Sequence, residues 1–220
     1  MEANFWEDKW EKQIIGFNQS KANSFLVKFI DHLKEDTGDI FVPLCGKSID
    51  MLYIKQETNK KIIGSELVDS AIFDFYQENN LSYKVESTKH HKIYNHQSYQ
   101  LIQGDLFKIG SEQLKNVSWI YDRASIVALP LEIRKQYANF LIKTLPKAKI
   151  FLITFEYDDS QKLIGPPFSV TDQEIHQLFN THYNIKLLEK YTSTPQMLKF
   201  IKNDIASINE NIYLLEPKSA

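Results

Sequence analysis

A doubly wound α/β sheet, three layers deep with helices on both faces, is the fold class this sequence predicts, on three observations. From residue 40 onward, short apolar runs alternate with stretches of helical periodicity, which is the pattern of βαβ units. The run Ile150-Phe151-Leu152-Ile153-Thr154-Phe155 is continuously apolar, as expected of a strand buried on both faces of a parallel sheet. Finally, Ile40-Phe41-Val42-Pro43-Leu44-Cys45-Gly46-Lys47-Ser48 reads as a strand that stops at a tight turn and opens a helix. It is followed by Ile62-Ile63-Gly64-Ser65-Glu66, a second strand ending on a carboxylate.

Taken in order, residues 1–38 read as helical. Phe25, Leu26, Phe29, Ile30 and Leu33 recur at offsets that share one helix face, and Gly38 breaks the pattern before the first strand. A strand at 40–43, a helix at 48–57, a strand at 61–65 and a helix at 69–79 follow. The polar stretch 82–98 is expected to be a loop or an irregular hairpin. Strands at 99–102 and 117–121, a helix at 131–145 and the strand at 150–155 come next. A helix at 172–180, a strand at 184–190 and a final strand at 211–215 complete the chain. No repeat, low-complexity segment or domain boundary is visible, so one domain over residues 1–220 is expected, with 1–38 as an added helical cover.

Composition agrees with that size. A chain of 220 residues can bury one substantial core, and 43% hydrophobic residues with only 7 Gly and 7 Pro describe a globular protein. A net charge of −2 supplies no basic surface for nucleic acid. Cys45 is the single cysteine, so no intramolecular disulfide can form, which agrees with a reducing compartment. The acidic, aromatic start Met1-Glu2-Ala3-Asn4-Phe5-Trp6-Glu7-Asp8 lacks the apolar core of a signal peptide. No apolar run approaches a membrane span. A cytoplasmic monomer acting on a small molecule, without nucleic acid or membrane, is the expectation.

Gly46 and Glu66 lie 20 residues apart, close to the offset of the ribose-binding acid in a nucleotide-binding βαβ unit. A strand, a crossover helix and a parallel strand return the acid to the sheet edge of the first turn. On spacing alone, a nucleoside site and an ordinary βαβ unit in which Glu66 merely caps a strand have equal weight. Phosphates are disfavoured. A P-loop needs G-x-x-x-x-G-K-[ST], and Phe41 stands where its first Gly belongs. A dinucleotide fingerprint needs G-x-G-x-x-G, and only Gly46 is present in this turn. A cofactor with a ribose and no phosphate fits, and S-adenosylmethionine meets that description.

Ligands in such folds bind beyond the carboxyl ends of the strands, so the residues following each strand are the candidates. These are Leu44-Cys45-Gly46, Glu66, Gly104-Asp105-Leu106-Phe107, Asp122-Arg123 and Glu156-Tyr157-Asp158 with Gly165-Pro166-Pro167-Phe168, all expected at one cleft. A carboxylate at Glu66 can accept from a ribose diol. Asp105 beside Leu106 suits an adenine edge and face. Singly, Asp105 reads more readily as a turn residue, and Leu106 with Phe107 as core.

Phe5-Trp6 with Trp10, Ile15-Gly16-Phe17, Val42 to Ser48, Gly64-x-Glu66-Leu67, Tyr121-Asp122-Arg123-Ala124 and Val127-Ala128-Leu129-Pro130 form an ordered series. Glu156-Tyr157-Asp158, Gly165-Pro166-Pro167-Phe168 and Ile212-Tyr213-Leu214-Leu215 continue it. In these blocks the chain resembles the thiopurine S-methyltransferase family, nearly end to end. The resemblance implies a class I S-adenosylmethionine fold: a mostly parallel seven-stranded sheet with the last strand antiparallel. It also implies that Trp10, Leu44, Glu66 and Arg123 fall on cofactor-binding positions. Phe17 would belong to the cofactor and substrate cover, and Asp105-Leu106 to the adenine-contacting turn. The chain departs from the family at Asn18, where many members have His, at Ser125, where Ala or Gly is usual, and at Val68, where Ser is common. Asn18 removes any imidazole acid or base from that place.

The implied activity is methyl transfer to the sulfur of a small aromatic or heterocyclic thiol, with selenium or tellurium compounds as further acceptors. Arg123 is the candidate thiolate stabiliser, and no dedicated general base is required. Trp10 and Phe17 are candidates to face the cationic sulfonium, Trp6 is read as packing, and Pro166-Pro167 as a stiff wall over the substrate. Cys45 is read as a small buried hydrophobe rather than a nucleophile. His90, His91 and His96 are read as a solvated loop, not a metal site, and no metal is called for. A cofactor-binding protein without turnover and a halide or oxygen methyltransferase are the alternatives.

Overall fold

The first strand is placed by its own apolarity. In β1 (Asp39–Val42), Ile40, Phe41 and Val42 are buried and pair in parallel with Ile62, Ile63 and Gly64 of β2 (Ile62–Glu66), itself buried at every residue. The computed structural model describes residues 3–157, 165–193 and 207–219. They form two compact units, one reaching Ile120 and the other starting at Tyr121.

The first unit opens with α1 (Ala3–Glu11) and α2 (Ser24–Lys34). The expected helical cover is therefore two helices. Gly16, a poor helix former, and Asn23, a good cap, interrupt the run between them. The Asn23 side chain accepts from the amides of Phe25 at 2.9 Å and Leu26 at 3.2 Å. Its own N–H donates to the buried Asp50 carboxylate at 2.8 Å, which joins α2 to α3 (Asp50–Thr58). In α4 (Asp69–Glu78), Ala71, Ile72, Phe75 and Tyr76 are buried on one face.

Within this unit the strand order is β3-β4-β5-β2-β1-β6. Strand β5 (Tyr99–Gly104) runs parallel to β2, and β6 (Val117–Arg123) starts parallel to β1. The polar stretch is an antiparallel hairpin of β3 (Lys84–Ser87) and β4 (His91–Asn95), with β4 antiparallel to β5. All four β3 residues are exposed, so the inside–outside alternation that marks a strand is missing there. His91 corrects the expectation of a solvated loop. It is 5% exposed on β4, although His90 is exposed as expected.

The second unit continues β6 into α5 (Leu131–Thr144), β7 (Lys149–Glu156), α6 (Asp172–Phe179), β8 (Tyr183–Ser193) and β9 (Ile208–Pro217). Ile150 to Phe155 are buried, as the continuous apolar run requires. Their neighbour inside this unit is nevertheless antiparallel, since β9 pairs antiparallel with both β7 and β8. Arg134 of α5 grips Glu174 of α6 through two bonds of 2.6 and 3.0 Å and donates to the Leu129 carbonyl at 2.9 Å. The fold is thus α/β, parallel at the centre of the first unit and antiparallel at its C-terminal strands. No described helix is long and apolar enough to cross a membrane.

Gly64 is required by packing at the middle of β2. A Cβ there would lie 2.5 Å from Leu101 Cδ2 and 2.7 Å from Cys45 Sγ, and both neighbours are themselves buried. Gly64→Ala should therefore lower the unfolding free energy by about 1–3 kcal/mol, the range for overpacking a filled core. Urea denaturation measures it, and an unchanged midpoint would show that the core yields freely.

Candidate functional site

The turn that follows β1 is built from conformations that most residues avoid. Leu44 and Gly46 have φ of +45° and +50°, in the left-handed region, where Gly carries no Cβ penalty and Leu does. Such a turn persists only if its surroundings hold it, and β2 does so residue by residue. The Leu44 amide donates to Ser65 Oγ at 3.3 Å, the Cys45 amide to the Ser65 carbonyl at 2.8 Å, and the Gly46 amide to Glu66 Oε2 at 2.8 Å. In the sequence Ser65 carries no distinctive signal, being a small polar residue inside an apolar strand.

Glu66 is only 6% exposed. Its other oxygen, Oε1, accepts from the amides of Leu67 at 2.7 Å and Val68 at 2.9 Å. Burial pushes its carboxyl above the usual range, and the three amide bonds oppose that rise without cancelling it. An ionised carboxylate offers about four lone-pair positions. The Gly46, Leu67 and Val68 amides occupy three of these, which leaves Oε2 able to accept one more donor. Cys45 is buried beside this group, and burial followed by the Glu66 charge holds its thiol well above the usual range. A thiol so held is a poor nucleophile.

Trp10 lies on the same turn. A Cβ on Gly46 would stand 3.0 Å from Trp10 Cζ2, so the indole rests against the glycine backbone. The ring is 3% exposed and packs with Val68, Ala71, Trp6, Ile15, Phe17 and Leu67. Phe17 meets it edge-on at 5.7 Å between centroids. A cation already stands near that ring: Lys47 Nζ, 6.0 Å from its centroid. Trp6, read as packing, contacts Phe5 and Phe17 edge-on.

Beyond β5, Asp105 caps a short 3₁₀ turn, accepting from the Phe107 amide at 3.0 Å while its carboxylate stays exposed. Leu106 is buried behind it. This turn is tied to the Glu66 region through Gln103, which pairs with Glu66 across β2 and β5 and donates from Nε2 to the Leu67 carbonyl at 2.8 Å. His91 holds it from the other side, its Nε2 lying 2.9 Å from the Asp105 carbonyl. The sequence-predicted Trp10, Phe17, Leu44, Glu66, Asp105 and Leu106 all belong to the first unit, and these contacts link them.

Arg123 belongs to the second unit. It is half-buried and is followed by Ala124 at φ +68°, again a left-handed non-glycine residue at a strand end. The preceding carboxylate holds this turn. Asp122 Oδ1 accepts from the amides of Ser125 and Ile126, each at 3.2 Å, and Oδ2 from the Tyr137 hydroxyl at 2.7 Å. In the same unit, the segment 165–168 is fastened at Pro167 and Phe168. The Phe168 amide donates to the Val127 carbonyl at 2.7 Å, and the Tyr157 hydroxyl to the Pro167 carbonyl at 2.7 Å. The Arg134 guanidinium lies 5.9 Å from the Phe168 ring centroid. Asp158, which carries part of one sequence block, lies outside the described residues. Among the described residues, no three His, Cys, Asp or Glu side chains group as a metal-ligand set.

A family model described as thiopurine S-methyltransferase matches residues 1–218. A thiopurine S-methyltransferase of Psychrobacter cryohalolentis is 37% identical, the match covering 98% of this chain and 99% of the relative. One of Shewanella frigidimarina is 36% identical over the whole of both chains. Among solved structures, an S-adenosylmethionine-dependent methyltransferase from Anabaena variabilis superposes with a TM-score of 0.66 at 15% identity, covering 98% of this chain and 95% of that one. A TehB-like S-adenosylmethionine-dependent methyltransferase from Corynebacterium glutamicum gives 0.54 at 10% identity, over 98% of each. These two likenesses concern the fold.

Asp122 generates a pH test. Burial pushes its carboxyl up from 3.8 to about 6, against the lowering effect of Tyr137 and the turn amides. A raised folded value means that its contribution is complete below the ordinary pKa and is lost as pH rises through about 6. Asp122→Asn keeps the acceptor for the turn amides and cannot ionise. Between pH 4 and 7 the wild-type unfolding free energy should fall relative to this variant, by on the order of 2 kcal/mol. Denaturant titrations at several pH values read it, and parallel profiles would refute it.

Proposed function

The chain belongs to the thiopurine S-methyltransferase family, and on that premise we propose that it moves the methyl group of S-adenosylmethionine to the sulfur of a small aromatic or heterocyclic thiol, thiopurines among them. The observation that carries the site assignment is the bond between the Gly46 amide and Glu66, with one Glu66 lone pair left over at the end of β2. This set of acceptors suits a nucleoside without phosphates. Glu66 would accept from a ribose hydroxyl, the exposed Asp105 carboxylate would meet polar edges, and Leu106 would supply an apolar face. Leu44 and Gly46 would present the turn backbone, and Trp10 with Phe17 would cover it, which gives residues 1–38 their role as a lid on one methyltransferase domain.

When bound, S-adenosylmethionine supplies a methyl group already activated by its sulfonium. What the chain adds is position. Holding a nucleophile in line at about 3–3.5 Å from that carbon can remove ~7–11 kcal/mol of the barrier. The turn that Asp122 holds would aim Arg123, whose guanidinium would favour the thiolate over the thiol by charge and hydrogen bonding. Aromatic thiols ionise readily, so no general base is assigned. Selenium and tellurium nucleophiles would be handled in the same way. The reading needs no metal, nucleic acid or membrane, and takes the protein as a monomer in a reducing cytoplasm.

The direct test is transfer of labelled methyl from S-adenosylmethionine to a panel of thiopurines and thiophenols, with selenite and tellurite alongside. Methylated thiol is expected. Tight binding of S-adenosylhomocysteine with no transfer to any acceptor would instead mean a cofactor-binding protein. In the same assay, Arg123→Ala should lower kcat by about 10²-fold, the usual effect of losing one charge-stabilising donor. The rising limb of its kcat profile should also move to higher pH, because the bound thiol would ionise later. An unmoved limb would remove Arg123 from thiolate stabilisation.

A further inference from the structure

Lys47 follows the cofactor turn in a Gly46-Lys47-Ser48 sequence whose lysine, in a phosphate-binding loop, would reach a phosphate. Here that ammonium is already engaged inside the protein. Its Nζ lies 3.1 Å from Asp74 Oδ2 and 2.7 Å from Glu78 Oε1, four residues apart on α4, and the side chain is 9% exposed. The same Nζ stands 6.0 Å from the centroid of the Trp10 ring on α1. One cation therefore touches three elements: the turn that bears it, the helix after β2, and the N-terminal cover.

The consequence concerns α1. A nine-residue helix is too short to be stable by itself, so its seat on the turn depends on what Trp10 meets there. Two of those contacts come from adjacent residues, the backbone of Gly46 and the ammonium of Lys47. Without the cation, Asp74 and Glu78 would face each other as like charges one helical turn apart, close to the place where Trp10 packs on Val68 and Ala71. We infer that Lys47 is a positioning residue that clamps α1 over the turn at 44–46, and so sets how tightly S-adenosylmethionine is retained without taking part in methyl transfer. This rests on the proposed reading of that turn as the cofactor site.

Lys47→Met keeps the unbranched stem and removes the charge, whereas Lys47→Arg keeps the charge. Two measurements decide the matter. Hydrogen exchange of the α1 amides in the ligand-free protein reports the seating of the helix, and calorimetric titration with S-adenosylhomocysteine reports retention. Lys47→Met should speed α1 exchange and raise the Kd, each by about tenfold, which corresponds to the loss of one good charged contact. Exchange in the β2 core and kcat at saturation should stay within about twofold. Lys47→Arg should restore both readouts. If Lys47→Met fails to fold, the pair Asp74→Asn with Glu78→Gln removes the anchors instead and should speed α1 exchange in the same way. Wild-type α1 exchange in these charge-removed proteins would overturn the inference, as would equal acceleration throughout the β2 core. Should wild-type protein not bind S-adenosylhomocysteine at all, the functional reading fails, while the exchange experiment still judges the clamp.

Discussion

The 2.8 Å bond from the Gly46 amide to Glu66 is the constraint on which the rest of the first unit's chemistry depends. It ties the end of β1 to the end of β2 at the point where the backbone turns through two left-handed residues, Leu44 and Gly46. Because Glu66 also accepts from Leu67 and Val68, one side chain orients the turn before α3 and the entry to α4. Trp10 comes this close to the turn where position 46 has no Cβ, since a Cβ there would stand 3.0 Å from its Cζ2. Burial makes this carboxylate costly to ionise, and the amides offset that cost. A group held at such expense, with acceptor capacity left over, is suited to one further donor from a ligand.

The second unit repeats the device. Asp122, the penultimate residue of β6, is buried and accepts from two amides of the turn that Ala124 takes through the left-handed region. Tyr137 of α5 completes its shell. In both places a buried acid sits at the C-terminal end of a strand and helps to hold a turn that passes through the left-handed region by accepting from its amides. The acid serves first as scaffold, and the neighbouring residue, Gly46 in one unit and Arg123 in the other, is what it presents.

Much of this was legible in the residues themselves. The apolar runs of β1, β2 and β7 and the spacing from Gly46 to Glu66 located the strands and the turn. Missing glycines excluded phosphate loops, and the family blocks named the cofactor. What stayed hidden shares one physical cause: it depends on partners distant in sequence. Lys47 reads as the tail of a failed P-loop until Asp74 and Glu78 are seen across from it. Ser65 is featureless until the Leu44 and Cys45 amides arrive. His91 reads as solvated because it sits in a polar stretch, yet its ring is buried against the Asp105 turn. The helical reading of 1–38 carries no boundary between its two helices, because apolar periodicity is blind to the break between Glu11 and Ser24.

The assignment of Glu66 to a ribose hydroxyl is tested most directly by ligand chemistry on the unaltered protein. Calorimetric titration would compare S-adenosylhomocysteine with its counterpart lacking both the 2′- and 3′-hydroxyls. Loss of one hydrogen bond to a buried carboxylate should weaken binding by about 10- to 100-fold. Equal affinity for the two ligands would contradict the assignment and leave Glu66 as a purely structural acid.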